Sequence, residues 1–327
     1  MSHPIVPVPS LSVRGLTKHF DVSGGFVSRM TGHQSVLKAV DGVSFELALN
    51  RSLGLVGESG SGKSTTARLI ARLLPATAGE VFFEGQDVLK LPRRRMTQVR
   101  KEIQIIFQDP FSSLNPRMRV EEIVGRPLTI HFGLKGRERR ERAGALLEQV
   151  GLAPEQLDRY PHEFSGGQRQ RVAIARALAS EPSVLLADEA VSSLDVSIQA
   201  QVLELLQGLR ERLHLSLLFI THDLNVAEYI SDDIAVMYAG RLVEVGPAAE
   251  VFKQPLHPYT QGLFQARPRF TRGAAQPPLA GEPAVPINPP PGCRFAHRCP
   301  IRVPACTESE VALEEKAPGR RVACIRV

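Results

Sequence analysis

The chain has 327 residues and a net charge of +6, a size that allows one large domain or one domain with an appendage. A charge this modest excludes the dense basic footprint of nucleic-acid-binding proteins, so we expect no nucleic-acid partner. No run of about 18 apolar residues is present, which excludes a membrane-spanning helix, and without a signal-peptide pattern at its start the chain is expected in the cytoplasm.

Up to about Phe252, short apolar runs alternate with longer segments of helical periodicity. The predicted strands are Ser52–Val56, Ile103–Phe107, Val184–Ala187, Leu215–Ile220 and Ile234–Tyr238. The predicted helices are Lys63–Leu74, Arg140–Val150, Gly167–Ala179, Val196–Arg212 and Asn225–Ile230. Strands that alternate with helices predict an α/β layered fold with a largely parallel sheet. Between Phe107 and Arg171 the pattern becomes mainly helical, which predicts a helical insertion between strands.

A P-loop pattern follows the first predicted strand and opens the first predicted helix. It reads Gly57-Glu58-Ser59-Gly60-Ser61-Gly62-Lys63-Ser64. Glycines allow backbone N–H groups to converge on phosphate oxygens, and a helix N-terminus favours an anion. Lys63 is expected to reach the β- and γ-phosphates, and Ser64 to offer its hydroxyl to Mg²⁺. A chance glycine-rich turn is the competing interpretation, which the strand–helix context disfavours. The residues assigned to the nucleotide here are Gly57, Ser59, Gly60, Ser61, Gly62, Lys63, Ser64 and Thr65.

Two carboxylates follow the buried-strand pattern at Val184–Ala187. The carboxyl end of a strand is where α/β sheets bind ligands. We expect Asp188 to hold Mg²⁺ through water and Glu189 to polarise the attacking water as a general base. Acidic residues often begin loops, but downstream of a P-loop this pair predicts nucleotide hydrolysis.

A second glycine motif, Phe164-Ser165-Gly166-Gly167-Gln168, resembles the Leu-Ser-Gly-Gly-Gln signature of ABC transporter ATPases. Phe164 replaces the usual leucine, and the other four residues are identical to the signature. A helix that begins at this motif can direct its N-terminus at a γ-phosphate, although Ser-Gly-Gly also occurs as a simple helix cap. The resemblance implies a RecA-like P-loop core in residues 1–252, with a mostly parallel sheet, an antiparallel β subdomain and a helical subdomain at about 109–170.

Other residues match the family in order along the chain. Gln108 resembles the Q-loop glutamine that senses Mg²⁺ and the attacking water, and His222 resembles the switch histidine that contacts the γ-phosphate. Asp195 ends a segment, Ser192-Ser193-Leu194-Asp195, that is similar to the D-loop at the dimer interface. Phe20 resembles the aromatic residue that stacks on adenine; Phe26 and an ordinary core role for Phe20 are the alternatives.

The resemblance also implies partners. In this family two ATPase domains enclose two nucleotides, each bound by one P-loop and the partner's signature motif, so a second copy or a homologous partner is expected. Dimer closure acts on two membrane permease subunits, which the segment 111–122 is expected to contact. This implies a peripheral position on the cytoplasmic face of the cell membrane.

The C-terminal residues indicate the class of transported substrate. His257-Pro258-Tyr259-Thr260, a proline-rich arm and a cysteine-bearing tail resemble the C-terminal extension of oligopeptide and dipeptide transporter ATPases, which predicts such an extension at 253–327. So many prolines predict an extended arm with no regular core. A glycine-bearing insert before Lys38 is similar to one of two paralogous ATPases, so we favour a heterodimer over a homodimer. An extracytoplasmic binding protein is expected to deliver the cargo.

Four cysteines, Cys293, Cys299, Cys306 and Cys324, all lie in this tail. Clustered cytosolic cysteines suggest a metal or a redox centre rather than disulfides. The resemblance implies a [4Fe–4S] cluster that pins the tail; zinc and four unliganded thiols are the alternatives, although the paired C-x-x-C spacing typical of zinc is absent.

The sequence therefore predicts an ATPase subunit that powers peptide import. Nickel or another small solute is the alternative cargo, because relatives share this tail. A soluble ABC ATPase that acts on DNA or ribosomes should contain tandem ATPase domains or a long coiled-coil insertion, and neither is present. A non-hydrolysing paralogue should have lost a catalytic residue, but Lys63, Gln168, Glu189 and His222 are retained.

Overall fold

The computed structural model describes residues 9–23, 35–265, 281–282 and 284–327. The chain divides into two compact units. Unit 1 comprises Leu47–Ser52 and Lys90–Ile220 with the first residues of the amino-terminal strand, and unit 2 comprises Leu11–Glu46, Leu53–Leu89 and Thr221–Val327. Throughout the described ranges, every helix is too short or too polar to cross a bilayer.

Strands and helices alternate along most of the chain. The strands are β1 (Pro9–Asp21), β2 (Val36–Ala48), β3 (Ser52–Val56), β4 (Ala78–Phe83), β5 (Gln86–Asp87), β6 (Ile103–Ile106), β7 (Val184–Asp188), β8 (Ser216–Thr221), β9 (Asp233–Tyr238), β10 (Arg241–Pro247), β11 (Glu314–Ala317) and β12 (Arg320–Val322). The α-helices are α1 (Lys63–Ile70), α2 (Arg93–Glu102), α3 (Pro110–Ser113), α4 (Val120–Phe132), α5 (Gly136–Gln149), α6 (Gly166–Leu178), α7 (Val196–Leu213), α8 (Leu224–Ile230), α9 (Ala248–Lys253) and α10 (Pro258–Gln265).

Unit 1 combines a parallel sheet with a helical region. Strands β6, β7 and β8 lie side by side and run parallel. Every residue of β7 is buried, as expected for a strand covered on both faces. Helices α4 and α5 follow β6 along the chain and precede the signature motif, so the predicted helical insertion is confirmed.

Unit 2 contains an antiparallel sheet and a second, mixed sheet. The antiparallel sheet has the order β2-β1-β4-β5. In the mixed sheet β3 and β9 are parallel neighbours, while β10 pairs antiparallel with both β9 and β12. All five residues of β3 are buried, so the P-loop that follows it starts from a fixed point in the core.

The predicted strands and helices are confirmed, with small shifts at their ends. The predicted strand Ser52–Val56 coincides with β3, and the predicted helix Val196–Arg212 extends one residue further, to Leu213. The first helix ends at Ile70 rather than Leu74. Arg72 has a left-handed backbone, and the proline at position 75 disfavours helical geometry in the residue before it.

The carboxy-terminal region is more ordered than its proline content predicts. The expectation of an extended arm without regular core is wrong for α10, because Tyr259 is fully buried and Pro258 occupies the first helical position, where a missing N–H costs nothing. Beyond it, β12 pairs with β10, β11 pairs with β12 at the edge of the mixed sheet, and Phe295 joins the core cluster of unit 2. Residues 266–280 and 283, which include several of the arm's prolines, lie outside the described residues.

Candidate functional site

The P-loop connects the buried end of β3 to the start of α1 in unit 2. Two of its glycines, Gly57 and Gly62, occupy positions where a side chain would collide with neighbouring backbone. A Cβ atom on Gly57 would lie 2.1 Å from the carbonyl oxygen of Met237, and one on Gly62 would lie 2.1 Å from that of Ala39. Both glycines also have positive φ angles, 152° and 107°. At Gly57 and Gly62 the loop backbone thus lies against neighbouring strands with no room for a side chain.

Lys63 points into this loop and is 4% exposed. Its Nζ atom donates hydrogen bonds to the carbonyl oxygens of Gly57 and Glu58, each at 2.8 Å, and lies 3.5 Å from Ser61 Oγ. The ammonium group is therefore buried inside the cradle that the sequence assigned to phosphate. Ser64 and Thr65 follow it on α1 and are partly exposed, as the predicted metal and phosphate contacts require.

Phe20, the predicted adenine-stacking residue, lies near the end of β1 and is partly exposed. The Lys18 Nζ atom lies 4.9 Å from the centre of its ring. Phe20 is therefore partly exposed rather than a fully buried core residue. The competing Phe26 and the glycine-bearing insert around it lie outside the described residues.

An ion-pair cluster fixes the strand next to Phe20. His19 Nε2 lies 2.8 Å from Asp41 Oδ1, and the guanidinium of Arg241 donates to Asp41 Oδ2 at 2.8 Å. Burial raises the pKa of Asp41, but the hydrogen bonds from His19 and Arg241 outweigh burial and lower the pKa to about 2. The carboxylate is thus charged at neutral pH and anchors this end of β1.

The predicted metal and base residues lie together in unit 1, at the carboxyl end of β7. Asp188 is the last residue of the strand and is 2% exposed. Glu189 follows it with a left-handed φ of 48°, which is uncommon for a non-glycine residue and typical of functional sites. Gln108, just after β6, donates from Nε2 to Glu189 Oε2 at 2.7 Å. Both residues are predicted from the sequence but their contact is not, because it follows from the pairing of β6 with β7.

The signature motif begins α6 in the same unit. Ser165 caps the helix: Gln168 N donates to Ser165 Oγ at 3.3 Å, and Ser165 N donates to Gln168 Oε1 at 3.0 Å. A Cβ atom on Gly167 would lie 2.3 Å from Ile198 Cγ2, so this glycine lets α6 and α7 approach closely. Gly166 has only an ordinary contact with Leu194. The motif therefore combines a capped, anion-favouring helix start with a tight helix contact.

Asp195 and His222, the remaining predicted residues, lie at two other turns. Asp195 caps α7, and its Oδ1 accepts from Ile198 N at 3.0 Å and from Ser197 Oγ at 2.7 Å. The hydrogen bonds from the Ile198 backbone N–H and from the Ser197 hydroxyl lower the pKa of Asp195. His222 follows β8 in unit 2 and is exposed, a position from which it can meet a ligand.

The four cysteines of unit 2 line one cavity, together with His257 and Phe295. All four thiols are free of disulfides, and Cys306 is buried. Burial raises the pKa of Cys293 and of Cys299, and the neighbouring thiols raise the pKa of both further. Within the part of the chain that the structure describes, no three His, Cys, Asp or Glu side chains are arranged so that they could hold a metal ion.

Comparison with known families matches two stretches of the chain. Residues 40–192 match the family model described as ABC transporter. Residues 243–306 match the model described as the C-terminal region of oligopeptide/dipeptide transporters. The second match covers α9, α10 and three of the four cysteines.

Similar proteins cover nearly the whole chain. A putative peptide import ATP-binding protein of Brucella ovis is 49% identical over 321 residues, which are 97% of this chain and 98% of that protein. The oligopeptide transport ATP-binding protein AppF of Bacillus subtilis is 47% identical and covers 96% of each chain. The dipeptide transport ATP-binding protein DppF of Escherichia coli is 47% identical over 98% of this chain and 95% of its own.

Solved structures match the same architecture. The ATP-binding cassette MJ0796, in a dimeric post-hydrolysis state bound to ADP and Pi, superposes with a TM-score of 0.64 at 29% identity, over 73% of this chain and 98% of that one. CbiO1 of Clostridium perfringens, part of the ABC transporter complex cbiONQ, has a TM-score of 0.63 at 27% identity, over 75% of this chain and 91% of its own.

Proposed function

Because the chain belongs to the ABC transporter ATP-binding proteins that carry an oligopeptide/dipeptide-type C-terminal region, we propose that it powers the import of peptides. The chain is an ABC-type ATPase. The observation that carries the cargo proposal is the similarity to peptide-transport ATP-binding proteins over 96–98% of this chain, including the cysteine-bearing tail. Neither nickel as cargo nor a soluble ATPase function has comparable support.

We assign the following roles to the chain's own residues. In unit 2 the P-loop N–H groups and Lys63 bind the β- and γ-phosphates, and Ser64 offers its hydroxyl to Mg²⁺. In unit 1 Asp188 holds Mg²⁺ through water, and Glu189 accepts a proton from the attacking water. The buried carboxylate of Asp188 at a strand end and the Gln108–Glu189 hydrogen bond support these two assignments.

The remaining assigned residues act on the nucleotide or across a dimer. Phe20 stacks on adenine and His222 contacts the γ-phosphate. The signature residues 165–168 bind the γ-phosphate of a nucleotide held by the partner ATPase, and Asp195 lies at that interface. The capped start of α6, with its exposed Ser165 and partly exposed Gly166, supports such a role.

We propose a heterodimer with a paralogous ATPase, bound to two permease subunits on the cytoplasmic face of the membrane. The segment 111–122, which leads into α4, contacts the permeases, and an extracytoplasmic binding protein supplies the peptide. In this assignment residues 1–252 form the ATPase domain, with its helical subdomain at about 109–170, and residues 253–327 form the peptide-transporter extension.

Loss of the P-loop ammonium tests nucleotide binding. Lys63→Ala removes the cation that the loop holds against its own carbonyl groups, and the phosphates then lose a direct electrostatic partner. We expect the affinity for MgATP to fall by about tenfold or more, measured by calorimetry on the purified chain. Lys253→Ala, at an exposed position at the end of α9, is the matched control and should bind as the unaltered chain does. Full affinity in Lys63→Ala contradicts the assignment of the cradle.

Uptake by cells tests the cargo. A strain that lacks this chain should lose uptake of labelled di- or oligopeptides, and the unaltered chain should restore it while Lys63→Ala should not. Nickel uptake is measured in the same strains. Loss of nickel uptake with normal peptide uptake would show that the cargo proposal is wrong, while the ATPase assignment would stand.

We further propose that Cys293, Cys299, Cys306 and Cys324 bind a [4Fe–4S] cluster. Four free thiols that line one cavity are a donor set that such a cluster accepts, and this supports the proposal. The thiols are not preformed as a site for a single ion, so binding would bring them into place and couple the cluster to folding of the tail. When bound by these four thiolates, the cluster would have a structural role and would crosslink the turns of the tail.

Metal analysis decides this assignment. Protein purified without oxygen should be brown and contain about four irons per chain. Cys306→Ser, which alters the buried thiol of the four, should lose the colour and most of the iron. Stoichiometric zinc without iron would replace the cluster with a zinc site, and absence of both metals would contradict any metal role.

A further inference from the structure

Glu58, the second residue of the P-loop, is held at three points. Its backbone N–H donates to Tyr259 Oη at 2.9 Å, and its carbonyl oxygen accepts from Lys63 Nζ at 2.8 Å. Its carboxylate accepts two hydrogen bonds from the guanidinium of Arg298, Nη1 to Oε2 at 2.9 Å and Nη2 to Oε1 at 3.1 Å. Two of these three partners come from the C-terminal extension, about 200 and 240 residues away in sequence.

Arg298 is itself rigidly placed. Its side chain is only 3% exposed. The guanidinium carbon lies 5.8 Å from the centre of the Tyr238 ring and 5.9 Å from that of Phe295. A bidentate guanidinium–carboxylate pair whose arginine is buried next to aromatic rings fixes both the distance and the angle between its partners. Arg298 can therefore hold Glu58 in one place rather than merely neutralise its charge.

Tyr259 shares the same aromatic cluster. Its ring centre lies 4.6 Å from that of Tyr238 and 5.4 Å from that of Phe295, and the residue is fully buried. Burial raises the pKa of Tyr259 well above its usual value, so its hydroxyl stays protonated. The hydroxyl oxygen accepts the hydrogen bond from the Glu58 N–H. Glu58 thus meets a hydrogen-bond acceptor in Tyr259 and a cation in Arg298.

The turn that carries Arg298 also reaches the other side of the P-loop. The turn runs from Cys293 to Cys299 and contains a second arginine, Arg294, which donates to the Asp41 carboxylate. Ala39, two residues before Asp41, places its carbonyl oxygen against Gly62 at the far end of the loop. One turn of the extension therefore contacts the loop directly at its beginning and braces the strand that lies against its end.

We propose that Arg298 and Tyr259 are positioning residues for the nucleotide phosphates, which makes the C-terminal extension a working part of the P-loop. The proposal rests on the proposed function in one respect: the P-loop is taken to bind ATP. A glycine-rich loop loses much conformational entropy when it becomes ordered. Contacts that already hold its second residue in place reduce the entropy lost when the phosphates bind. Neither residue touches the nucleotide; both act through Glu58.

The test separates binding from turnover. Arg298→Met keeps the length and apolar contacts of the side chain but removes the paired donors. We expect the Kd for MgATP and the KM for ATP to rise about tenfold, because the loop is no longer pre-ordered, while kcat at saturating ATP changes less than about threefold. Arg298→Lys, which restores one charged donor, should recover part of the affinity. Arg302→Met, an exposed arginine shortly after the same turn, is the matched control and should leave all three constants unchanged.

A double-mutant comparison distinguishes positioning from general damage to the fold. Glu58→Gln alters the loop side of the contact and leaves the extension intact, so it should weaken MgATP binding to the same degree as Arg298→Met. The double variant should bind MgATP no more weakly than either single variant, because each substitution already removes the same Glu58–Arg298 interaction. Where Arg298→Met yields no folded protein, Glu58→Gln alone decides.

The outcomes are distinct. Unaltered MgATP affinity in both Glu58→Gln and a folded Arg298→Met would overturn the positioning role. Losses of MgATP affinity that add up in the double variant would overturn the positioning role as well. An unaltered chain that binds no MgATP would instead overturn the proposed function, so the two failures are told apart by the first measurement of the series.

Discussion

Glu189→Gln should lower the rate of ATP hydrolysis by about 10²- to 10⁴-fold while ATP stays bound. The substitution keeps the size of the side chain and its ability to accept a hydrogen bond, but an amide cannot take a proton from water. Because binding and dimer closure do not need that proton transfer, we expect the variant to accumulate as a stable ATP-bound dimer.

The geometry around Glu189 supports a single active orientation. The residue is placed in a left-handed conformation directly after a fully buried strand, and its N–H donates to the carbonyl oxygen of Ile220 at 2.9 Å. Gln108 donates to one carboxylate oxygen of Glu189 and so restricts how the side chain can turn. Strain of this kind persists only where the surrounding structure enforces it, and its presence at the predicted base fits a catalytic role.

The measurement is steady-state release of phosphate, followed by size-exclusion chromatography with and without MgATP. Glu211→Gln, an exposed glutamate on α7 of the same unit, serves as the control and should hydrolyse ATP at the unaltered rate. A Glu189→Gln variant with full turnover would remove this residue from the role of base and leave another group to be found.

Local patterns explain why much of the fold was predictable. β3, α1 and the P-loop between them lie in one stretch of about twenty residues, and the apolar run, the glycines and the helix start each leave a signal in that stretch. The same holds for β7 with Asp188 and Glu189, and for α6 with its Ser165–Gln168 capping box. Each of these depends on residues a few positions apart, which a single sequence displays.

Contacts between distant residues were not predictable. Gln108 and Glu189 are 81 residues apart, and Glu58 and Arg298 are 240 apart; nothing in either local pattern names the other partner. The order of the tail was also missed, because prolines and the lack of apolar periodicity argue against regular structure. What orders it is burial against β9 and β10, supplied by Tyr259, Phe295 and Val322 from positions that show no period.

Burial against β9 and β10 explains how an extension with little regular structure becomes part of an α/β core. Its aromatic residues pack on the mixed sheet in unit 2, and its arginines form ion pairs with earlier residues of the same unit: Arg298 with Glu58, Arg294 with Asp41 and Arg320 with Glu244. The extension therefore adds stability and, by the inference above, sets the geometry of the phosphate loop.

Arg320→Met should lower the free energy of unfolding by about 3–5 kcal/mol, because it leaves a buried carboxylate without its cation. Glu244 is fully buried on β10, and Arg320 Nη2 donates to its Oε1 at 2.7 Å from β12. The carboxylate also accepts from the backbone N–H groups of Leu256 and His257, so it connects three segments at once. Methionine fills most of the volume of arginine but offers no donor, and the negative charge on Glu244 then lacks its main partner.

The comparison that isolates this effect is the double variant Glu244→Gln with Arg320→Met. Removing both charges leaves a neutral amide that can still accept the backbone N–H groups, so most of the lost stability should return. Arg321→Met, on the next, partly exposed residue of β12, should change stability by less than about 0.5 kcal/mol. The free energies come from urea denaturation followed by circular dichroism, and hydrogen exchange at β12 locates the loss. Equal stability of Arg320→Met and Arg321→Met would show that the buried pair does not hold the extension on β10; a large loss confined to Arg320→Met, and relieved by Glu244→Gln, would show that it does.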